Sequence, residues 1–148
     1  MAEGQALWLW LRGLFTKRPP IRAGADAKLG AKGERIAARW LRGQGYKVIA
    51  RNVRGQGGEL DIMCLSPDRA TMVAVEVKTR RLVEGVSEQV MPEVNVTYAK
   101  REKLVWLAKK YAKRKRWEGK LRIDVVTVQV PLRGKAVVRH LVDGVRRG

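Results

Sequence analysis

The apolar positions of the chain change period several times, and each change marks an element. From Leu29 to about Arg42 the spacing is helical, with Ala37, Ala38 and Leu41 on one stripe, and Gly43 and Gly45 stop it. Tyr46 to Val53 reads as a first strand. The stretch Gly55-Gln56-Gly57-Gly58 reads as a turn, and Glu59 to Cys64 and Met72 to Thr79 as strands two and three, joined through Ser66-Pro67-Asp68. Residues 80–95 lack a period and are expected to form a loop. Asn95 or Thr97 then caps a helix to about Arg116, whose inward stripe is Leu104, Leu107, Ala108, Tyr111 and Ala112. Leu121 to Val130 reads as a fourth strand and Ala136 to Leu141 as a weaker fifth. The order α-β-β-β-α-β-β predicts an α/β fold in which a mixed sheet is flanked by helices.

Strands two and three carry the chemistry. Leu60, Ile62 and Cys64 are expected on one face, with Glu59, Asp61 and Met63 on the other; Val73, Val75 and Val77 oppose Ala74, Glu76 and Lys78. A turn centred between Asp68 and Arg69 sets Leu60 against Val77, Ile62 against Val75 and Cys64 against Val73, so the apolar face closes on itself. The same register sets Asp61 against Glu76 and Glu59 against Lys78. Opposed residues have Cβ atoms roughly 5 Å apart, so the two carboxylates repel unless one is protonated or a cation lies between them. A hard divalent cation, ligated by oxygen, resolves the conflict most simply. Lys78 shares the face and could orient a water or stabilise charge on a phosphate held there. The rival reading is a solvated face with a Glu59–Lys78 salt bridge.

Composition narrows the partner. Lys and Arg total 32 against 14 Asp and Glu, a formal charge of +18. Such a surface attracts polyanions, nucleic acid first and anionic membrane second. One cysteine, Cys64, excludes an internal disulfide, and one histidine, His140, leaves no Cys/His cluster for zinc. The lack of disulfides fits a reducing compartment and a cytoplasmic location. The length allows one domain, placed at residues 28–142 behind an N-terminal extension and Pro-containing linker (1–27) and before a basic tail (143–148). Residues 7–15, rich in Leu and Trp, are too short to span a bilayer; a frayed or self-packed extension is favoured over membrane contact.

Further residues bear on the site. Glu34 lies on the inward stripe of the first helix, either as a third acid at the cation site or as a first-turn carboxylate favoured by the helix dipole. Lys100 extends the inward stripe of the second helix near its N-terminus, where the dipole disfavours a cation; it either reaches phosphate or snorkels to solvent. Ten Lys or Arg lie between Lys100 and Lys120, against only Glu102 and Glu118, with Trp106 among them. This face, including Arg101, Lys103 and Lys110, suits a phosphate backbone with Trp106 stacking on a base or under lysine stems, or is simply a solvated surface. Arg122 and Asp124 share a face of strand four, as a structural pair or at the edge of the site. Tyr98, Tyr111 and His140 read as packing or surface residues.

Gly30-x-x-Gly33-Glu34, Gly58-Glu59-Leu60-Asp61, Val75-Glu76-Val77-Lys78-Thr79-Arg80, Lys100 and Arg122-Ile123-Asp124-Val125, in that order, resemble the YraN family, bacterial proteins similar to Holliday-junction resolvases. The resemblance covers about residues 28–142. It implies a restriction-endonuclease-like core of the PD-(D/E)xK type, with Asp61, Glu76 and the Val77 carbonyl as metal ligands, Lys78 as the catalytic lysine, Glu34 as the helix-borne acid, and Mg²⁺ or Mn²⁺ as cofactor. The implied activity is hydrolysis of phosphodiester bonds in DNA, at branched or damaged structures, with Arg80 joining the basic helix in nucleic-acid contact. RNA is the alternative polymer, and a non-catalytic nucleic-acid-binding module the alternative function. Chemistry on two strands would favour a symmetric homodimer, although no interface signature is legible. The aromatic positions that the family often shows before the motif glutamate and between the strand-four Arg and Asp are Ala74 and Ile123 here.

Overall fold

The computed structural model describes residues 24–82 and 96–144. The elements are α1 (Ala25–Gly43), β1 (Lys47–Gly55), β2 (Gly58–Leu65), β3 (Thr71–Arg81), α2 (Tyr98–Arg114), β4 (Lys120–Val130) and β5 (Val137–Leu141). Their order is the one predicted. The segment at 7–15, most of the expected 80–95 loop and the end of the basic tail lie outside the described residues. None of the described helices is long and apolar enough to cross a membrane.

The five strands lie side by side in sequence order. All neighbours are antiparallel except β3 and β4, which are parallel. A parallel pair needs a crossover connection, and α2 supplies it. The two helices cover opposite faces of the sheet. Ala37, Ala38 and Leu41 of α1 bury Ile62, Cys64, Val73, Val75, Val126 and Val128. Leu104, Leu107, Ala108, Tyr111 and Ala112 of α2 bury Met63, Met72, Ala74, Ile123 and Val125. Alternation along β3 and β4 thus feeds two cores, because both strands are covered on both faces.

Several boundaries differ from expectation. α1 begins at Ala25 rather than Leu29, with Asp26 favourably placed in its first turn. α2 ends at Arg114 and is capped at its start by Thr97, whose hydroxyl accepts from the Lys100 N–H at 3.3 Å. Arg80 and Arg81, placed in a loop by their lack of period, continue β3 and pair with Gln129 and Val130. The parallel partner carries the strand on where side-chain pattern gives no sign of it.

The register of the β2–β3 hairpin follows the turn chemistry. Ile62 pairs with Val75, Met63 with Ala74, Cys64 with Val73 and Leu65 with Met72. Asp68 holds the turn by accepting from Ser66 Oγ at 2.5 Å and Ala70 N–H at 3.0 Å. Leu60, however, does not share the face of Ile62 and Cys64: it packs with Met63 against α2. The expected Leu60–Val77 contact face is therefore corrected. Opposite Asp61 on β1, Asn52 adopts a left-handed conformation with φ 50°, between the pairs Arg51–Ile62 and Val53–Leu60. The end of the β1–β2 hairpin turns there, carrying Val53 and Leu60 toward α2.

Candidate functional site

The β2–β3 ladder reaches Ile62–Val75. One residue further, the Asp61 side chain takes over: its Oδ2 accepts from the Val77 backbone N–H at 2.8 Å. A carboxylate thus occupies the fork between the two strands, where a ladder carbonyl would otherwise serve. Burial pushes the Asp61 carboxyl up to about 7, with Glu76 and Glu34 adding to the rise and the Val77 N–H and Lys100 opposing it. The desolvated acid therefore feels two other carboxylates, one from β3 and one from α1.

Glu76 is buried, with 6% of its surface exposed. Its Oε1 meets Lys78 Nζ at 3.2 Å and also the ammonium of Lys100, which reaches in from the first turn of α2. Burial lowers the Lys78 pKa, helped by Lys100 and opposed by Glu76. Burial works against the Lys100 charge as well, yet contact with Glu76 leaves its pKa raised. The Glu59–Lys78 salt bridge of the rival reading does not form. Lys78 turns to Glu76, and Glu59 lies 3.8 Å from Arg54.

Glu34 enters from the opposite layer because α1 approaches β3 closely. A Cβ at Gly33 would run into the Thr79 side chain, so only glycine lets the helix lie there. With its amide oriented to suit its neighbours, Asn52 donates 3.0 Å hydrogen bonds to Glu34 Oε2 and Glu59 Oε1. On the α2 side, Lys103 lies over Gly58, where a Cβ would collide with its stem. The sequence reading missed Asn52, Thr79 and the close approach at Gly58. Only Asn52 carried a signal, as a residue tolerant of the left-handed region in an otherwise regular strand.

Asp61, Glu76, Lys78, Lys100 and Glu34 thus gather around one fork. Among the described residues, no three His, Cys, Asp or Glu side chains converge as a ready-made ion cage. This donor set still fits Mg²⁺ or Mn²⁺ better than zinc or calcium. It is all oxygen, and Mg²⁺ is typically held by one or two carboxylates while the rest of its shell is water and substrate phosphate.

The nucleic-acid candidates are spread more widely. Arg80 is exposed near the end of β3. Arg101 meets Glu102 at 3.0 Å. Trp106 is 37% exposed, and Lys110 Nζ lies 4.3 Å from its ring centroid, so the indole packs beneath a lysine. Burial and Lys100 together lower the Lys103 pKa, which puts Lys103 beside the site.

Arg122 and Asp124 belong elsewhere. Asp124 is fully buried and every acceptor position is used: Arg122 Nε and Nη2 donate at 2.8 Å each, the Asp143 N–H donates at 2.9 Å, and His140 Nε2 lies 2.7 Å away. Arg122 also reaches the Tyr46 hydroxyl at 3.2 Å, and Trp40 and Tyr46 pack edge-on to His140. Burial would raise the Asp124 pKa, but these donors hold it below the ordinary value. This hub ties β4 and β5 to Trp40 of α1 and to Tyr46 just before β1, and in it Arg122 and Asp124 form a structural pair.

The model of the Uncharacterised protein family UPF0102 matches residues 33–128, a span holding every acid and lysine of the fork. The chain is 40% identical over 118 residues to a "UPF0102 protein" of Beutenbergia cavernae, covering 79% of this chain and 95% of that one. It is 34% identical over 129 residues to one of Pelobacter propionicus, covering 86% of each, and 39% identical over 126 residues to one of Nocardia farcinica, covering 81% and 91%.

Proposed function

The chain belongs to the uncharacterised family UPF0102, the YraN family that its motifs resemble, and from that premise we propose that it is a metal-dependent nuclease hydrolysing phosphodiester bonds in DNA. One observation carries the reading. A desolvated carboxylate, Asp61, is held in a strand fork beside a second, Glu76, and two ammonium groups meet that second acid. A purely structural site has little reason to bury acids close enough to raise a pKa by mutual repulsion.

Asp61 and Glu76, with the Val77 carbonyl and Glu34, would hold Mg²⁺ or Mn²⁺. The ion would supply Lewis-acid charge at the phosphate and an acidified water at neutral pH. Lys78 sits beside Glu76, and its ammonium would stabilise the charge that grows on the oxygens of a phosphate held at that ion. Lys100 and Lys103 flank the fork from α2, and Arg80, Arg101, Lys110 and Trp106 extend the basic surface along which a phosphate backbone can lie. Branched or damaged DNA is the substrate suggested by the resolvase-like motifs, and a homodimer would serve two-strand cleavage.

The test is cleavage of plasmid and branched duplex DNA with and without Mn²⁺ or Mg²⁺. Metal-dependent nicking is expected from the native protein, with a loss of about 10²-fold or more in Glu76→Ala and Lys78→Ala while DNA binding persists. Nicking that survives Glu76→Ala undiminished contradicts the proposal. One observation favours a second reading, a non-catalytic nucleic-acid-binding module: Glu76 already has two cationic partners, as a stable structural network would. That reading expects salt-sensitive binding and no turnover with any divalent cation.

A further inference from the structure

Two ammonium groups converge on a single oxygen, Oε1 of Glu76. They are not equivalent. Lys78 is on the same strand two residues away, so its position is fixed by the pleat. Lys100 comes from another element, on a flexible stem, at the third position after the Thr97 cap. That first turn contains no acidic residue, and the helix dipole there disfavours a cation. Burial opposes its charge too. Glu76 is what draws Lys100 in, against the local helix electrostatics.

The opposite side of the fork is built differently. Asp61 is held by a backbone N–H rather than by a lysine. Among the described residues the direct ammonium contacts are thus made at Glu76, and of the two lysines there Lys100 is the one whose stem comes from another element and can leave. Beyond Lys100, along the same helix, lie Lys103 and Lys110, the surface that a phosphate backbone would meet.

We propose that Lys100 is an exchangeable counter-ion: it occupies Glu76 while no divalent cation is bound, yields that carboxylate when the cation arrives, and then turns its ammonium to a phosphate of the nucleic acid. The inference rests on the metal-dependent reading above and adds a regulation of that site. Because cation and lysine compete for one carboxylate, cation affinity of the free protein is held low. Because the released ammonium finds a partner on nucleic acid, loading of the cation and of the substrate are coupled.

Direct titration of the full chain with Mn²⁺, without nucleic acid and read from the electron paramagnetic resonance of the free ion, tests this. Lys100→Met and Lys100→Gln should each bind Mn²⁺ about tenfold more tightly than the native protein, a change of about 1.4 kcal/mol. Lys113→Met, which removes an exposed positive charge from the last turn of the same helix, away from Glu76, should stay within about twofold. Glu76→Gln should bind weakly or not at all. Affinity that is unchanged or lower in both Lys100 variants overturns the exchange while leaving the nuclease reading in place. Absence of Mn²⁺ binding in the native protein and in both Lys100 variants overturns the two together.

Discussion

Asp61 is the residue where folding and function pull apart. Its carboxyl is raised from 3.8 to about 7, so the native state holds a proton that the unfolded chain releases. Stability therefore falls as pH rises between those values, and the loss is complete above the upper one. On the proposed function such a group is tolerated because a bound cation would restore what burial and repulsion take away. Asp61→Asn keeps an oxygen to accept from the Val77 N–H and removes the charge. It is expected to stabilise the cation-free protein at pH 8 by about 1 kcal/mol or more in urea denaturation, to flatten that pH dependence, and to abolish Mn²⁺ binding. A variant less stable than the native protein at pH 8 would show that Asp61 is a structural acid. At this scale the sequence was informative where chemistry follows a period of two, as with Glu76 and Lys78. It was silent where one backbone angle decides: the turn at Asn52 that sends Leu60 to the far core follows from a φ of 50°, which the apolar pattern does not encode.

Among the elements, α1 is positioned by the absence of a side chain. Helix propensity alone makes Gly33→Ala stabilising by about 1 kcal/mol. The Thr79 side chain occupies the place the methyl group would take, so overpacking of about 1–3 kcal/mol should reverse the sign. Glu34, the next residue, would shift with the helix. Chemical denaturation of Gly33→Ala, and of the same change combined with Thr79→Ala, checks this: the single variant should be less stable than the native protein, and the second change should recover part of the loss, because the Cβ that remains at position 79 still lies 2.7 Å from the added methyl. The Asp124 hub makes a contrasting claim. Four donors converge on a fully buried carboxylate, so Asp124→Ala strands Arg122 and is expected to cost about 3–5 kcal/mol. Its contribution is present above the ordinary aspartate range and is lost as pH falls through the lowered native pKa. Cation binding at the fork should be preserved in whatever fraction of that variant folds, as measured by Mn²⁺ titration. The elements themselves were legible in order and nearly in extent. The tail of β3 was not, because its backbone pairing with β4 extends past the last patterned side chain.

For the whole molecule, charge and layer order act together. A formal +18 on 148 residues makes long-range attraction to a polyanion unavoidable. The fold adds direction by setting Lys103 and Lys110 on the helix that delivers Lys100 to the fork. DNA affinity should fall steeply with salt, and Lys110→Ala should reduce the slope of log affinity against log salt by about one phosphate contact without altering Mn²⁺ binding. A slope indifferent to that change would move the phosphate path off this face. The mixed sheet and its two covering layers were readable from the element order, since only a crossover helix lets β3 and β4 run parallel. Which side chains of the helices would meet the fork was not, because that depends on close approaches at Gly33 and Gly58. On the proposed function Asp61 and Glu76 share a divalent cation. Anomalous diffraction from a crystal soaked in Mn²⁺ reads this out: a peak within coordination distance of oxygens of both carboxylates is expected, with Lys100 withdrawn from Glu76. A fork that stays closed by Lys100 and shows no peak, at Mn²⁺ concentrations that saturate the protein in solution, would contradict it.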